Sequence, residues 1–113
     1  MLNKEKLEKA GIDYEQGIRH FACNTEIYEK YLLRFKDDPI YGELCVEIEA
    51  GDYNAAFRNA HALIGVTGNL GMMEFGEKVS NLIEELRHGK YDNIDALLVD
   101  FRASYARTVE ALL

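Results

Sequence analysis

The sequence predicts an all-α protein, an antiparallel four-helix bundle of up-down-up-down topology with short helices at its N-terminus. Three observations support this fold class. The chain of 113 residues contains a single proline, and it has no Asn-Gly or Asp-Gly hairpin signal between alternating segments. Its apolar residues recur at helical spacing throughout. At this length, residues 1–113 are expected to form one domain.

The composition limits the possible partners and compartments. Thirteen Lys and Arg residues against 20 Asp and Glu residues give a net charge of −7, which disfavours binding to nucleic acid or to anionic membranes. No apolar segment approaches the roughly 20 residues of a membrane span, and the N-terminus lacks the apolar stretch of a signal peptide. We therefore expect a cytoplasmic protein. We also expect a monomer, because the bundle needs no partner to close, and either a free-standing chain or a domain excised from a larger kinase.

Two cysteines are present, and their spacing matches neither a disulfide framework nor a zinc site. Cys23 and Cys45 are both expected to be buried free thiols. The spacing of the three histidines matches no metal pattern either, so no metal or cofactor is expected on this chain.

The first two helices are predicted to be short. One extends from about Asn3 to Ala10 and ends at Gly11, a typical helix terminator. The second covers Tyr14–His20, with Asp13 as its N-cap.

The third helix is predicted to begin after the cap residue Asn24. Its apolar stripe comprises Ile27, Tyr28, Tyr31, Leu32 and Phe35. Asp38-Pro39 marks a kink or a restart, because proline is favoured at the first position of a helix. The helical pattern then continues to Gly51.

Three longer helices complete the predicted bundle, over about Tyr53–Leu70, Met73–Arg87 and Asn93–Leu112. At 100° per residue, the first of them has an apolar stripe at about 220° to 300° from Phe57. This stripe contains Ala56, Ala60, Leu63, Thr67 and Leu70.

His61 falls outside this stripe, at about 40° on the same helical wheel, and two glycines flank it. Gly65 and Gly68 each cost about 1 kcal/mol relative to alanine inside a helix. Because both point away from the predicted core, we expect them to permit the close approach of an external molecule. Half-exposed Phe57 and Ile64 would supply apolar contact area around the imidazole.

An exposed imidazole has a pKa near 6.5, so roughly three quarters of it is neutral at pH 7. Neutral imidazole is a nucleophile that can accept a phosphoryl group if a partner supplies the metal and the positioning. The chain has no nucleotide-binding loop or kinase signature of its own. Periodicity alone leaves open that His61 is an ordinary surface histidine.

Residues 61–71 read HALIGVTGNLG, and this segment resembles the H-x-L-K-G-x-x-G-N-L-G signature of histidine phosphotransfer (HPt) domains. Further similarity lies in 11–13 (GID), in Gly17 and Phe21, and in 50–53 (AGDY). Together these positions extend the resemblance over about residues 11 to 110.

The resemblance implies a phosphocarrier rather than an enzyme. Such domains accept phosphate from a response-regulator aspartate and pass it to another, in relays that begin at a hybrid sensor histidine kinase. It places the phosphate on Nε2 of His61, with Gly65 admitting the receiver's aspartate and Phe57, Ile64 and Gly68 docking the receiver. The Mg²⁺ ion is expected on the receiver, not on this chain.

One position departs from the family signature. The family usually has lysine three residues after the histidine, where this chain has Ile64. Such a lysine resembles a clamp on the phosphoryl oxygens, a charge-assisted contact of about 1.5–3 kcal/mol. Arg58, one turn before His61, is either the substitute or a solvated surface arginine, and Lys78 and Arg87 are weaker candidates for the substitute. The departure also allows an alternative: a docking or inhibitory module that binds a response regulator or kinase without carrying phosphate.

Overall fold

The computed structural model describes residues 2–113, and every regular element in this range is a helix. The helices are α1 (Lys4–Lys9), α2 (Tyr14–His20), α3 (Thr25–Phe35), α4 (Ile40–Glu49), α5 (Tyr53–Leu70), α6 (Met73–Arg87) and α7 (Ile94–Ala111). Across the described residues, β-type pairing is confined to an isolated bridge between Ile12 and Met72. The all-α prediction is confirmed.

Side-chain caps fix the starts of three helices where the sequence predicted them. Asp13, Asn24 and Asp52 each accept a hydrogen bond from the backbone N–H three residues further on, at 3.1, 3.1 and 3.3 Å. Such bonds satisfy backbone donors that have no partner within the first helical turn.

The third predicted helix is two separate helices, α3 and α4, of 11 and 10 residues. At Asp38-Pro39 one helix has ended and a second begins, instead of a single helix bending there. The Asp38 carboxylate accepts a hydrogen bond from the backbone N–H of Ile40 at 2.9 Å, and proline removes a donor that an unbroken helix would need.

Helix α5 occupies the centre of the packing. It contacts α4 and α6 along its length and touches α2 and α3, while α6 packs against α7 and α1 contacts α2 and α7. The molecule is elongated, with extents of 40 × 23 × 20 Å. None of the helices formed by the described residues has the length and apolar character needed to span a bilayer.

Two parts of the predicted core are wrong. Ile27 and Tyr31 of α3 are 43% and 45% exposed, because only one edge of this short helix touches its neighbours. Cys23 is exposed as well, whereas Cys45 is buried as predicted. Cys23 lies in the turn after α2 with a positive φ of 59°, and this turn lies outside the packed helices.

The C-terminal end of α5 is held by the N-terminal part of the chain. The last carbonyls of a helix have no partner within it, yet three consecutive ones are occupied here. Asn69 O lies 3.2 Å from His20 Nδ1, Leu70 O accepts from the Tyr28 hydroxyl at 2.7 Å, and Gly71 O accepts from the Asp13 backbone N–H at 2.7 Å. We call these three contacts the α5 clamp.

Removal of the Tyr28 hydroxyl tests the α5 clamp. Tyr28 is fully buried, and burial raises the pKa of its phenol, so the hydroxyl stays protonated and donates. Tyr28→Phe leaves Leu70 O without this donor, and we expect a loss of about 1–3 kcal/mol in the free energy of unfolding, measured in urea. Tyr31→Phe, the exposed control, should change it by less than about 0.5 kcal/mol. Equal effects of the two substitutions would contradict this role of Tyr28.

Candidate functional site

The side chain of His61 is solvent-exposed on α5, on the side of the helix opposite the core. The predicted core stripe is confirmed, since Ala56, Ala60, Leu63, Thr67 and Leu70 are all buried. Half-buried Phe57 lies one turn before the histidine, and the two ring centroids are 5.8 Å apart. The imidazole therefore combines open access with an aromatic ring on one side.

The two glycines of this face leave open space beside the imidazole. A Cβ atom added to Gly65 or Gly68 would meet no heavy atom within 4 Å. Neither glycine is therefore needed for packing against another part of the described chain. No packing contact of the described residues therefore offsets their cost in helix stability.

Ile64 sits at the edge of this face and packs toward α6. A Cβ atom added to Gly76 of α6 would lie 4.0 Å from Ile64 Cδ1 and 3.2 Å from Thr67 Oγ1. Beside this close approach is an open cavity of about 390 Å³, to which Gly68 and the exposed Met73 contribute. The apolar surface next to His61 thus continues onto α6.

Arg58 lies on the exposed side of α5, three residues before His61. Side chains three apart on a helix are neighbours, with Cβ atoms about 5–6 Å apart. Arg58 forms no ion pair with any residue between 2 and 113, and it lines a cavity of about 320 Å³ together with Phe57. A guanidinium without a counter-ion is therefore available close to the imidazole.

The other two cations considered from the sequence each lie near a carboxylate. Lys78 Nζ lies 4.0 Å from a Glu77 carboxylate oxygen. Arg87 pairs with Glu84 at 2.6 Å, but its side chain lines the same cavity as Arg58. Of these three cations, Arg58 is the one with no carboxylate partner within residues 2–113.

The other two histidines have contacts of their own. His20 takes part in the α5 clamp, and His88 Nε2 is 3.4 Å from a Glu84 oxygen. Within residues 2–113, no group of three or more His, Cys, Asp or Glu side chains is arranged to hold a metal ion.

Sequence reasoning missed the structural role of the glycine that ends α5. Gly71 has φ of +74°, and a Cβ atom there would lie 2.4 Å from Asp13 O. Met73 N–H in turn donates to Gly11 O at 2.9 Å. Segments 11–13 and 71–73 are therefore joined backbone to backbone, a contact between positions 60 apart that helical periodicity does not encode.

Comparison of the chain with protein-family models, with curated proteins and with solved structures gave no match.

Proposed function

We propose that the protein is a cytoplasmic histidine phosphotransfer protein that carries a phosphoryl group on His61 between receiver-domain aspartates. The observation that carries this proposal is the exposed imidazole of His61 beside the empty space at Gly65 and Gly68. In this proposal the α3–α4 pair and helices α5, α6 and α7 are the four members of an up-down-up-down bundle. The chain acts as a monomer.

The transfer uses the Nε2 lone pair of neutral His61. Nε2 attacks the phosphorus of the receiver's aspartyl phosphate in line with the leaving oxygen, a new P–N bond forms, and the P–O bond to the aspartate breaks. The aspartate leaves as a carboxylate with the bonding electron pair. His61 keeps its proton on Nδ1, and the reverse reaction delivers the phosphoryl group to a second receiver. The metal that this chemistry uses belongs to the receiver.

The remaining residues of the face have separate roles in this proposal. Phe57, Ile64 and Gly68 form the docking surface, and Gly65 lets the aspartate reach the ring. Arg58 neutralises the phosphoryl oxygens. The receiver partner supplies the groups that catalyse the transfer. The chain itself is a carrier and not an enzyme.

Transfer of label tests the proposal. The protein is mixed with receiver domains charged by ³²P-acetyl phosphate and Mg²⁺, and we expect an acid-labile, alkali-stable label on the chain. His61→Gln should abolish this label, while His20→Gln and His88→Gln should retain it, with circular dichroism confirming the fold of each variant. Label that survives His61→Gln would overturn the assignment.

A second candidate function is a docking module that binds a receiver or kinase without accepting phosphate. It is favoured by the half-buried isoleucine at position 64, where the family signature has a cation. Receivers that bind the chain but leave no label on it would select this second function.

The role of Arg58 is tested on the phosphorylated protein. If its guanidinium neutralises the phosphoryl oxygens, Arg58→Ala removes a charge-assisted contact of about 1.5–3 kcal/mol. We expect transfer to His61 to slow by about tenfold or more, or the phosphohistidine lifetime to shorten, as followed by loss of label. An unchanged rate and lifetime would remove Arg58 from the site.

A further inference from the structure

A second concave feature lies one turn before His61, between the start of α5 and the end of α6. Its volume is about 320 Å³, and its lining includes Tyr53, Phe57 and Arg58 on one side and Arg87 and Tyr91 on the other. The Tyr53 and Tyr91 rings stack with centroids 3.8 Å apart and planes at 26°. The stack ties the connection after α6 to the first turn of α5, so one wall of the cavity is fixed by packing.

Two arginines line this cavity on an acidic protein. The net charge is −7, yet Arg58 of α5 and Arg87 at the end of α6 both contribute to the lining. Glu84 pairs with Arg87 at 2.6 Å, whereas no carboxylate of residues 2–113 lies within ion-pair distance of Arg58. Arg58 therefore presents a guanidinium whose charge no described side chain cancels.

The lining of the cavity is mixed: half-buried Phe57 and buried Leu86 supply apolar surface, and Asn54 and the two arginines supply polar groups. Apolar surface beside guanidinium groups suits a short side chain that ends in a carboxylate, because guanidinium binds carboxylate through paired hydrogen bonds. Phe57 belongs both to this cavity and to the surroundings of the His61 ring. A group bound in the cavity would thus lie at the edge of the proposed docking surface.

We propose that this cavity binds an Asp or Glu side chain from an acidic loop of the receiver partner, through Arg58 and Arg87. The inference rests on the proposed function. A site that holds Mg²⁺ and a phospho-accepting aspartate is rich in carboxylates, and an acidic protein would repel such a partner without local positive charge. Arg58 provides that charge, and Arg87, which also contacts Glu84, adds hydrogen-bond donors that orient the partner relative to His61.

The first test uses a probe that needs no receiver. The ¹⁵N-labelled protein is titrated with the capped peptide Ac-Glu-Asp-Leu-Asp-Glu-NH₂ and with its Gln/Asn counterpart. We expect NMR shifts confined to residues around the cavity, including the Nε–H signals of Arg58 and Arg87, with the acidic peptide only. Shifts spread over the surface, or equal shifts with the amide peptide, would overturn the proposal. Inorganic phosphate that binds the cavity as well as the peptide does would also overturn it, in favour of a general anion site.

The second test measures association with a receiver in a His61→Gln background, where no transfer occurs. Arg58→Glu/Arg87→Glu should slow association by about tenfold and flatten its dependence on salt, since charge steering accounts for rate factors of about ten or more. Lys6→Glu/Lys9→Glu makes the same change of charge on α1. The segment that follows α1 is hydrogen-bonded to Met73, so α1 lies near the end of α5 that is opposite the cavity. This control should stay within about twofold, and equal slowing by both pairs would overturn the proposal.

The two tests separate this inference from the proposed function. If the protein takes no label on His61 but binds the acidic peptide in the cavity, the cavity proposal stands and the phosphocarrier proposal is wrong. If the protein takes label normally but shows neither the localised shifts nor the slowed association, the phosphocarrier proposal stands and the cavity proposal is wrong.

Discussion

Gly71→Ala is expected to lower the free energy of unfolding by about 3–4 kcal/mol. A side chain at the left-handed φ of +74° costs about 1–2 kcal/mol. The added Cβ would also lie 2.4 Å from Asp13 O, so the backbone must separate and the 2.7 Å hydrogen bond from Asp13 N–H to Gly71 O is strained or lost. Urea unfolding followed by circular dichroism at 222 nm measures the loss, which is a large part of a typical stability of about 5–15 kcal/mol.

Gly51→Ala is the matched control for this substitution. Gly51 has nearly the same φ, +75°, but a Cβ atom there meets nothing within 4 Å. Gly51→Ala should therefore lower the free energy of unfolding only by the cost of a side chain at a left-handed φ, about 1–2 kcal/mol. If both substitutions cost the same, the contact between segments 11–13 and 71–73 contributes nothing to stability, and the α5 clamp loses its strongest support.

The prediction of α5 from sequence succeeded because its signal is local. Eighteen residues with a regular apolar period define one buried side, and Asp52 and Gly71 mark the two ends. The same periodicity places His61 and the two glycines on the exposed side. This part of the site depends only on the geometry of one helix.

The errors in the predicted core occur at positions where packing between helices decides whether a side chain is buried. Ile27 and Tyr31 fit the helical period of α3 but stay exposed, because a stripe is buried only where a neighbouring helix covers it. Cysteine is a residue type that is often buried, but Cys23 lies exposed in a turn. Burial at these positions is a property of the assembled fold and not of the local pattern.

The cavity beside Arg58 and the α5 clamp could not be predicted for a related reason. Arg58 and Arg87 are 29 positions apart, and Tyr28 reaches the carbonyl of a residue 42 positions later. The sequence offered one signal for the clamp, the two tyrosines Tyr28 and Tyr31 in the stripe of α3, since a buried phenol needs a hydrogen-bond partner. It offered no signal for which carbonyl that partner would be.

Replacing both glycines of the His61 face by alanine is expected to stabilise the protein and to impair its function. An added Cβ at Gly65 or Gly68 meets nothing within 4 Å, so Gly65→Ala/Gly68→Ala pays no steric cost and gains about 1 kcal/mol of helix propensity at each position. In the proposed function, the same two methyl groups would fill the space through which the receiver's aspartate reaches Nε2. Because a misplacement of about 1 Å can cost 10²-fold in rate, we expect transfer to slow by at least about tenfold.

Gly42→Ala separates these two effects. Gly42 is also helical, in α4, and a Cβ atom there also meets nothing within 4 Å, so this variant should gain helix stability without a change in the rate of transfer. Urea unfolding and the rate of label transfer are measured on the same preparations of all the variants. Transfer that is as fast in the Gly65/Gly68 double variant as in Gly42→Ala would show that the open space beside His61 is not used. A stabilised double variant that still binds the receiver but transfers slowly would instead assign these two glycines to the approach of the phosphoryl group.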